Sequence, residues 1–165
     1  MAQAATIHAS AVLVGSRAVL IRGPSGSGKS RLALALLDLA AGGRVPFARL
    51  VGDDRVHVEA AGQRLLVRPA VALRGLLEIR GYGLCALPFE PAAVVGLIVD
   101  LAAPDALRLP ESDQRSAALA GIELARLAVA PAIDPVPLVL AALYRPLGGD
   151  PTEPGPMPAP AQAGR

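Results

Sequence analysis

The sequence contains few cysteine, lysine or aromatic residues. Among its 165 residues there is one cysteine, Cys85, and aromatic residues make up 2% of the chain. A single cysteine excludes an internal disulfide, a CxxC redox pair and a cysteine-rich zinc site. The scarcity of aromatic side chains also excludes the stacking surfaces with which many proteins bind single-stranded nucleic acid.

The charged residues give no sign of a nucleic-acid partner. The 16 basic and 14 acidic residues leave a formal net charge of +2, and the basic residues are scattered along the chain. A nucleic-acid interface needs a concentrated basic patch. We therefore expect that the protein does not bind nucleic acid.

Long apolar runs are absent as well. The most apolar run, residues 91–99, ends at Asp100 and is shorter than the roughly 18 to 20 residues that cross a bilayer. Residues 1–17 have no basic segment of the kind that begins a secretory signal. We expect no membrane insertion and a cytoplasmic location. With 53% hydrophobic and 18% charged residues, the composition fits one compact domain.

Local patterns predict an α/β domain with a central mixed β-sheet over residues 1–145. Apolar runs at 11–14 and 18–21 predict two strands joined by a tight turn, and a leucine-rich stretch from Lys29 to Gly42 predicts a helix. Further strands are predicted between residues 49 and 68, a strand buried on both faces at 94–99, and a short helix at 138–143 with Asp134 as N-cap. Residues 146–165 contain six prolines and no hydrophobic period, which predicts a disordered tail.

A phosphate-binding loop lies between the second predicted strand and the first predicted helix. Its residues fit the pattern G-x-x-x-x-G-K-[ST]: Gly23, Pro24, Ser25, Gly26, Ser27, Gly28, Lys29 and Ser30. Backbone N–H groups of such a loop and the helix N-terminus bind phosphate oxygens, the lysine reaches the β- and γ-phosphates, and the serine hydroxyl can hold Mg²⁺. This pattern predicts binding of a nucleoside triphosphate. Because Lys29 is the only lysine, the second lysine that Ras-type GTPases use to recognise the base is absent.

Two places can supply the acidic residue that accompanies such a loop. Asp100 ends the regular apolar run, whereas Asp53 and Asp54 follow a shorter one. Two adjacent carboxylates repel each other unless a metal ion or cation lies between them, and one of the two would then be a good proton acceptor. The pattern by itself leaves both places open.

Four segments together resemble the catalytic domain of HPr kinase/phosphorylase, which phosphorylates a serine of the phosphocarrier protein HPr. They are Ile7-His8, the phosphate loop, Asp53-Asp54-Arg55-Val56 and the string Leu-Glu-Ile-Arg-Gly-Tyr-Gly at residues 77–83. The last is the most specific of the four. The chain resembles the short alphaproteobacterial form that consists of the C-terminal catalytic domain. The resemblance implies a nucleotide-binding core similar to that of phosphoenolpyruvate carboxykinase.

The resemblance also implies a role for each matching residue. Asp54 would accept the proton of the serine hydroxyl, with Asp53 supporting it. His8 and Lys29 would be catalytic, and Ser30 and Glu78 would bind Mg²⁺. Arg80, Gly81 and Gly83 would form the phosphate and substrate region, where Glu78 and Arg80 share one face of an extended segment and the glycines let the backbone approach the site. ATP and Mg²⁺ are the expected cofactors, HPr is the expected partner, and a hexamer is the expected assembly.

The resemblance leaves the reverse reaction open. Longer members of the family carry a basic loop near the C-terminus whose arginine serves phosphorolysis of phosphoserine, and residues 124–134 here keep only Arg126. No such role is assigned to Arg126. Two other hypotheses remain: a phosphate-loop kinase of a small metabolite that uses Asp100, and a non-catalytic ATP-binding regulatory sensor.

Overall fold

The computed structural model of the protein describes residues 4–145. Eleven strands and two α-helices make up this region in the following order: β1 (Ala5–Ile7), β2 (Ser10–Val14), β3 (Arg17–Arg22), α1 (Lys29–Ala41), β4 (Ala48–Gly52), β5 (Val56–Ala61), β6 (Arg64–Pro69), β7 (Leu76–Ile79), β8 (Gly83–Ala86), β9 (Ala93–Leu101), β10 (Ser116–Leu119), β11 (Ile122–Val129) and α2 (Pro135–Tyr144). The tail predicted for residues 146–165 lies outside the described residues.

The central mixed sheet that the sequence predicts is present and has nine strands. Its order is β1-β5-β6-β9-β3-β2-β4, and β11 pairs with β9 and carries β10 at its other edge. β9 is parallel to both β3 and β11, and β2 is antiparallel to both β3 and β4. The strands β3, β4, β9 and β11 therefore all run in the same direction, so their carboxyl ends lie at one edge of the sheet. Ligands of α/β sheets bind at this kind of edge.

The sheet has an apolar core on each face. Side chains of β3 alternate between the two: Val19 and Ile21 pack in the cluster that contains α1 and α2, whereas Ala18 and Leu20 pack in a cluster with β5 and β6. This alternation is the period of two expected of a strand buried on both faces. β9 is also buried on both faces, as predicted.

Both predicted helices are present. α1 begins at Lys29 directly after Gly28, and its buried positions at Lys29, Leu32, Ala33, Leu36 and Leu39 repeat with the period of one helical face. In α2 the Asp134 side chain accepts a hydrogen bond from the N–H of Val136 at 3.1 Å, and Pro135 is the first helical residue. This is the N-cap that the sequence predicts.

Five strands were not predicted as strands: β1, the hairpin strands β7 and β8, of which the Glu78 segment was expected only to be extended, and the sheet strands β10 and β11. β7 and β8 form a two-stranded hairpin apart from the main sheet, and β10 and β11 extend the sheet beyond β9. The sequence indicates only that residues 124–134 correspond to a basic loop of longer family members, whereas the structure places most of β11 there. Within residues 4–145 no helix is long and apolar enough to span a membrane.

Candidate active site

The phosphate loop connects the carboxyl end of β3 to the N-terminus of α1. Positive φ angles at Gly23, Gly26 and Gly28 give the loop its curvature. A Cβ at Gly23 would lie 2.9 Å from the carbonyl oxygen of Leu101 and 2.6 Å from Ser27 Oγ, so the loop packs against the end of β9 in a space only glycine fits. Ser27 Oγ is buried and has no hydrogen-bond partner among the described residues.

Lys29 is buried at the start of α1, with 7% of its surface exposed. Its Nζ donates to the carbonyl oxygens of Gly23 at 2.9 Å and Pro24 at 3.1 Å, so the ammonium group lies inside the curve of the loop. Burial lowers the pKa of Lys29 below its usual value, and the negative charges of Asp53 and Asp54 oppose this change. An anion bound in the loop would add further negative charge near the ammonium and favour its charged form.

Asp53 follows β4 and is the most enclosed carboxylate of the site, with 3% exposure. Its Oδ1 accepts hydrogen bonds from Ser10 Oγ at 2.5 Å and Ser30 Oγ at 2.9 Å. Its Oδ2 lies 2.9 Å from Ser30 Oγ and accepts from the N–H of Glu78 at 3.2 Å. This carboxylate therefore links the phosphate loop to β2 and to the β7–β8 hairpin.

Asp54 has a different environment from its neighbour. Its φ of 63° lies in the left-handed region, within a tight turn where the N–H of Arg55 donates to the carbonyl oxygen of Asp53 at 2.7 Å. The Asp54 side chain is 60% exposed, whereas Asp53 is buried, and its Oδ1 lies 3.1 Å from Nε2 of His8. Left-handed backbone at a residue other than glycine is uncommon and concentrates at functional sites.

One cleft of about 420 Å³ contains most of the side chains predicted for the site. It is lined by His8, Ser25, Gly26, Gly28, Lys29, Ser30, Arg31, Leu34, Asp53, Asp54, Glu78, Ile79 and Arg80. The structure thus brings the predicted acids, lysine and histidine to one place although they come from four segments of the chain. His57 lies outside it, on β5, where its Nδ1 is 2.9 Å from Thr6 Oγ1.

The hairpin differs in two ways from the sequence-based expectation. β7 ends at Ile79, so Arg80 belongs to the turn and does not share an extended face with Glu78, although both line the cleft. Gly81 and Gly83 do not line the cleft, and a Cβ at either would meet no atom within 4 Å. Their φ angles of 85° and 116° show that glycine is needed here for the backbone of the turn rather than for a close approach to the site.

The donor set fits Mg²⁺. The Ser30 hydroxyl and the carboxylates of Asp53 and Glu78 are hard oxygen donors, and all three line the cleft next to the phosphate loop. Within residues 4–145 no group of three or more acidic, histidine or cysteine side chains is placed to hold a metal ion. Mg²⁺ in nucleotide sites needs no such group, because it is bound through one or two carboxylates, with substrate phosphates and water as its other ligands.

Asp100 is not available as a second metal-binding acid. Arg22 donates to both of its oxygens, from Nε at 2.7 Å and Nη2 at 2.8 Å, and Arg126 Nε donates to Oδ2 at 2.6 Å. Burial would raise the pKa of Asp100, but the hydrogen bonds and charges of the two arginines outweigh it and lower this pKa below its usual value. Arg126 also pairs with Asp105 through two hydrogen bonds of 2.6 and 2.9 Å, and its own pKa is raised.

All the residues that line the cleft lie within a segment that matches a known protein family. The family model described as HPr Serine kinase C-terminal domain matches residues 1–89, more than half of the chain. The chain belongs to this family. The matched residues include the phosphate loop, both adjacent aspartates and the β7–β8 hairpin, whereas Asp100 and Arg126 lie beyond them.

Two curated members of the family are similar to part of this chain. HPr kinase/phosphorylase of Streptococcus pyogenes serotype M5 is 40% identical over 85 residues, which is 51% of this chain and 25% of that protein. The corresponding enzyme of an Exiguobacterium species is 48% identical over 67 residues, or 40% of this chain and 19% of that protein. The matched segment therefore spans a quarter or less of these curated relatives.

A solved structure extends the similarity over most of the fold. The Hpr(Ser) kinase/phosphatase from Coxiella burnetii superimposes with a TM-score of 0.67 at 25% identity. The match covers 86% of this chain and 94% of that one. The shared mixed α/β fold thus includes the strands beyond residue 89.

Several residues of the site were missed in the sequence. Arg31 and Leu34, on the first turns of α1, line the cleft. Ser10 is fully buried and bonded to Asp53. Ser10, Val12 and Val14 occupy every second position of a buried strand, and a polar residue buried at such a position needs a polar partner. This pattern could have identified Ser10.

Proposed function

We propose that the protein is an ATP- and Mg²⁺-dependent kinase that transfers the γ-phosphoryl group of ATP to a serine of HPr. Family membership supports the reaction type, and the cleft supports the assignment of its parts. ATP, Mg²⁺ and the HPr acceptor belong to this proposal, as do the cytoplasmic location and the homo-oligomeric assembly, with six subunits by resemblance, expected from the sequence.

The observation that carries the proposal is the contrast between two adjacent aspartates, one buried and one exposed. Asp53 is buried and bonded to the Ser30 hydroxyl of the phosphate loop. Asp54 is exposed in the same cleft, next to His8. One carboxylate thus supports nucleotide and metal binding, and the other is accessible to an incoming hydroxyl.

Phosphoryl transfer depends on positioning and on stabilising charge. Loop N–H groups, the N-terminus of α1 and the Lys29 ammonium would hold the phosphates, with Ser30, Asp53 and Glu78 at the metal position. Bound Mg²⁺ neutralises part of the phosphate charge. Asp54 would orient the acceptor serine and accept its proton, and His8 would hold the Asp54 carboxylate in position.

The test is intact-mass analysis of HPr after incubation with the protein, ATP and Mg²⁺. We expect HPr to gain one phosphoryl group, about 80 Da. The Asp54→Asn variant should transfer at least about 100-fold more slowly, because it lacks the proton acceptor, while it binds ATP with the affinity of the unaltered protein.

Two results would contradict the proposal. HPr that gains no mass although ATP binds would favour the regulatory sensor. Transfer to a small metabolite at a rate that Asp54→Asn leaves unchanged would favour the metabolite kinase. The pairing of Asp100 with two arginines weighs against the latter, since that hypothesis assigns Asp100 to the metal.

The reverse reaction gains no support from Arg126. Its guanidinium is engaged by Asp100 and Asp105 and does not line the cleft. We therefore assign it a structural role. Addition of inorganic phosphate to phosphorylated HPr, with pyrophosphate as the product measured, tests whether phosphorolysis is retained.

A further inference from the structure

The candidate site includes a buried hydroxyl to which the catalytic proposal gives no role. Ser10 lies on β2 with none of its surface exposed, and it does not line the cleft. It therefore cannot touch a nucleotide or an acceptor directly. Its Oγ donates to Asp53 Oδ1 at 2.5 Å.

Ser10 occupies a position where packing would favour an apolar residue. Residues 10, 12 and 14 of β2 point to the same face of the sheet, and Val12 and Val14 pack in the cluster that contains α1. A hydroxyl buried there is costly unless it is hydrogen-bonded. The Asp53 carboxylate is the partner that satisfies it.

The hydrogen bonds on Asp53 fix its orientation from three directions. Ser10 holds Oδ1 from β2, the N–H of Glu78 holds Oδ2 from the hairpin, and the Ser30 hydroxyl donates between the two oxygens at 2.9 Å from each. While the Ser30 proton is directed to Asp53, the lone pairs of its oxygen are directed away from this carboxylate. In this orientation the Ser30 oxygen can coordinate a metal ion through those lone pairs.

We propose that Ser10 is a positioning residue for metal-nucleotide binding. Its hydroxyl holds the Asp53 carboxylate, and through it the Ser30 hydroxyl, in the orientation that Mg²⁺ requires. Residues that orient metal ligands from outside the first coordination sphere change metal affinity by about 10- to 100-fold when they are removed. This inference rests on the proposed nucleotide-binding function but not on the identity of the acceptor.

The test compares Ser10→Thr with Ser10→Val, which differ only by a hydroxyl in place of a methyl group. The dissociation constant of a non-hydrolysable ATP analogue is measured for each variant in saturating Mg²⁺ and in EDTA. We expect Ser10→Val to weaken binding about tenfold in Mg²⁺ and to leave binding in EDTA unchanged. Ser10→Thr should stay within about twofold of the unaltered protein in both conditions, because its hydroxyl can bond Asp53.

Val12→Ala is the control for damage to the core. Val12 is fully buried in the same strand and faces the same way, so its truncation should lower the melting temperature without any Mg²⁺-dependent change in affinity. Ser10→Ala repeats the loss of the hydroxyl without the larger side chain and should behave as Ser10→Val does. Thermal unfolding of every variant reports whether it is folded.

The inference is overturned if Ser10→Val and Ser10→Thr bind alike, if Ser10→Val loses equal affinity in Mg²⁺ and EDTA, or if the unaltered protein binds the analogue without any help from Mg²⁺. These results are distinct from a failure of the kinase proposal. A protein that binds the nucleotide with Mg²⁺ but transfers nothing to HPr would contradict the proposed function and leave the role of Ser10 as measured.

Discussion

Glycines of the phosphate loop have different reasons for being glycine. At Gly23 a Cβ would collide with the Leu101 carbonyl oxygen and with Ser27 Oγ, at 2.9 and 2.6 Å, whereas at Gly26 a Cβ would meet no atom within 4 Å. Gly26 is constrained only by its φ of 80°. The first glycine is needed for packing against β9 and the second for backbone conformation alone.

We therefore expect Gly23→Ala to be the more damaging of the two substitutions. It should lower the free energy of unfolding by roughly 2 to 4 kcal/mol, because fixed backbone must move. Gly26→Ala should cost about 1 kcal/mol, the price of a left-handed conformation at alanine. Urea denaturation of both variants checks this ranking, and equal losses would contradict the packing explanation.

Among the elements, the carboxyl ends of β3, β9 and β11 are joined by charge. Asp100 of β9 pairs with Arg22 of β3 and with Arg126 of β11, and Arg126 continues to Asp105 in the following loop. Asp100 and Arg126 are largely enclosed, with side-chain exposures of 14% and 13%. Arg22 directly precedes the phosphate loop, so this network holds the edge of the sheet on which the site is built.

Removal of the central carboxylate should destabilise the fold. Asp100→Asn leaves two arginines beside a neutral side chain, and we expect the free energy of unfolding at pH 7 to fall by about 2 to 4 kcal/mol. The pKa of Asp100 is lower in the folded protein than its usual 3.8. Its stabilising contribution is therefore complete above the unfolded pKa and is lost as the pH falls through the folded one.

Urea denaturation across a pH series checks the sign of this effect. The difference between the unaltered protein and Asp100→Asn should be constant near neutrality and should shrink below about pH 4. A difference that grows on acidification would show that the ion pairs are not what Asp100 contributes.

At the scale of the whole molecule, ligand binding should stabilise the fold. The cleft joins segments from His8, which follows β1, to Arg80, which follows β7. A ligand that binds only the folded chain raises its stability. At 100 times its dissociation constant, Mg²⁺-ATP should contribute about 2.7 kcal/mol. For a chain of this size we expect the melting temperature to rise by about 5 to 10 °C.

The thermal shift should depend on the phosphate loop and not on the proposed proton acceptor. Lys29→Met should abolish the increase, because the buried ammonium is the cation inside the loop. Asp54→Asn should keep it. A shift that survives Lys29→Met would mean that the nucleotide binds elsewhere.

Local features of this protein could be predicted from the amino-acid sequence. The G-x-x-x-x-G-K-[ST] spacing predicted the loop between β3 and α1, alternation and apolar runs predicted β2, β3 and β9, and Asp134-Pro135 predicted the start of α2. These features depend on neighbours in the chain, through backbone conformation, capping and burial of one face. The resemblance added His8, Glu78 and the segment from Arg80 to Gly83 to the candidate residues of the site.

The surroundings of Asp53 and Asp100 are set by tertiary contacts alone. Both follow apolar runs, but long-range packing places Ser10, Ser30 and the hairpin around Asp53 and places two arginines around Asp100. The same is true of β11, whose pairing with β9 depends on a partner more than twenty residues away. Which charge meets which is set by contacts between distant segments, and no local pattern encodes them.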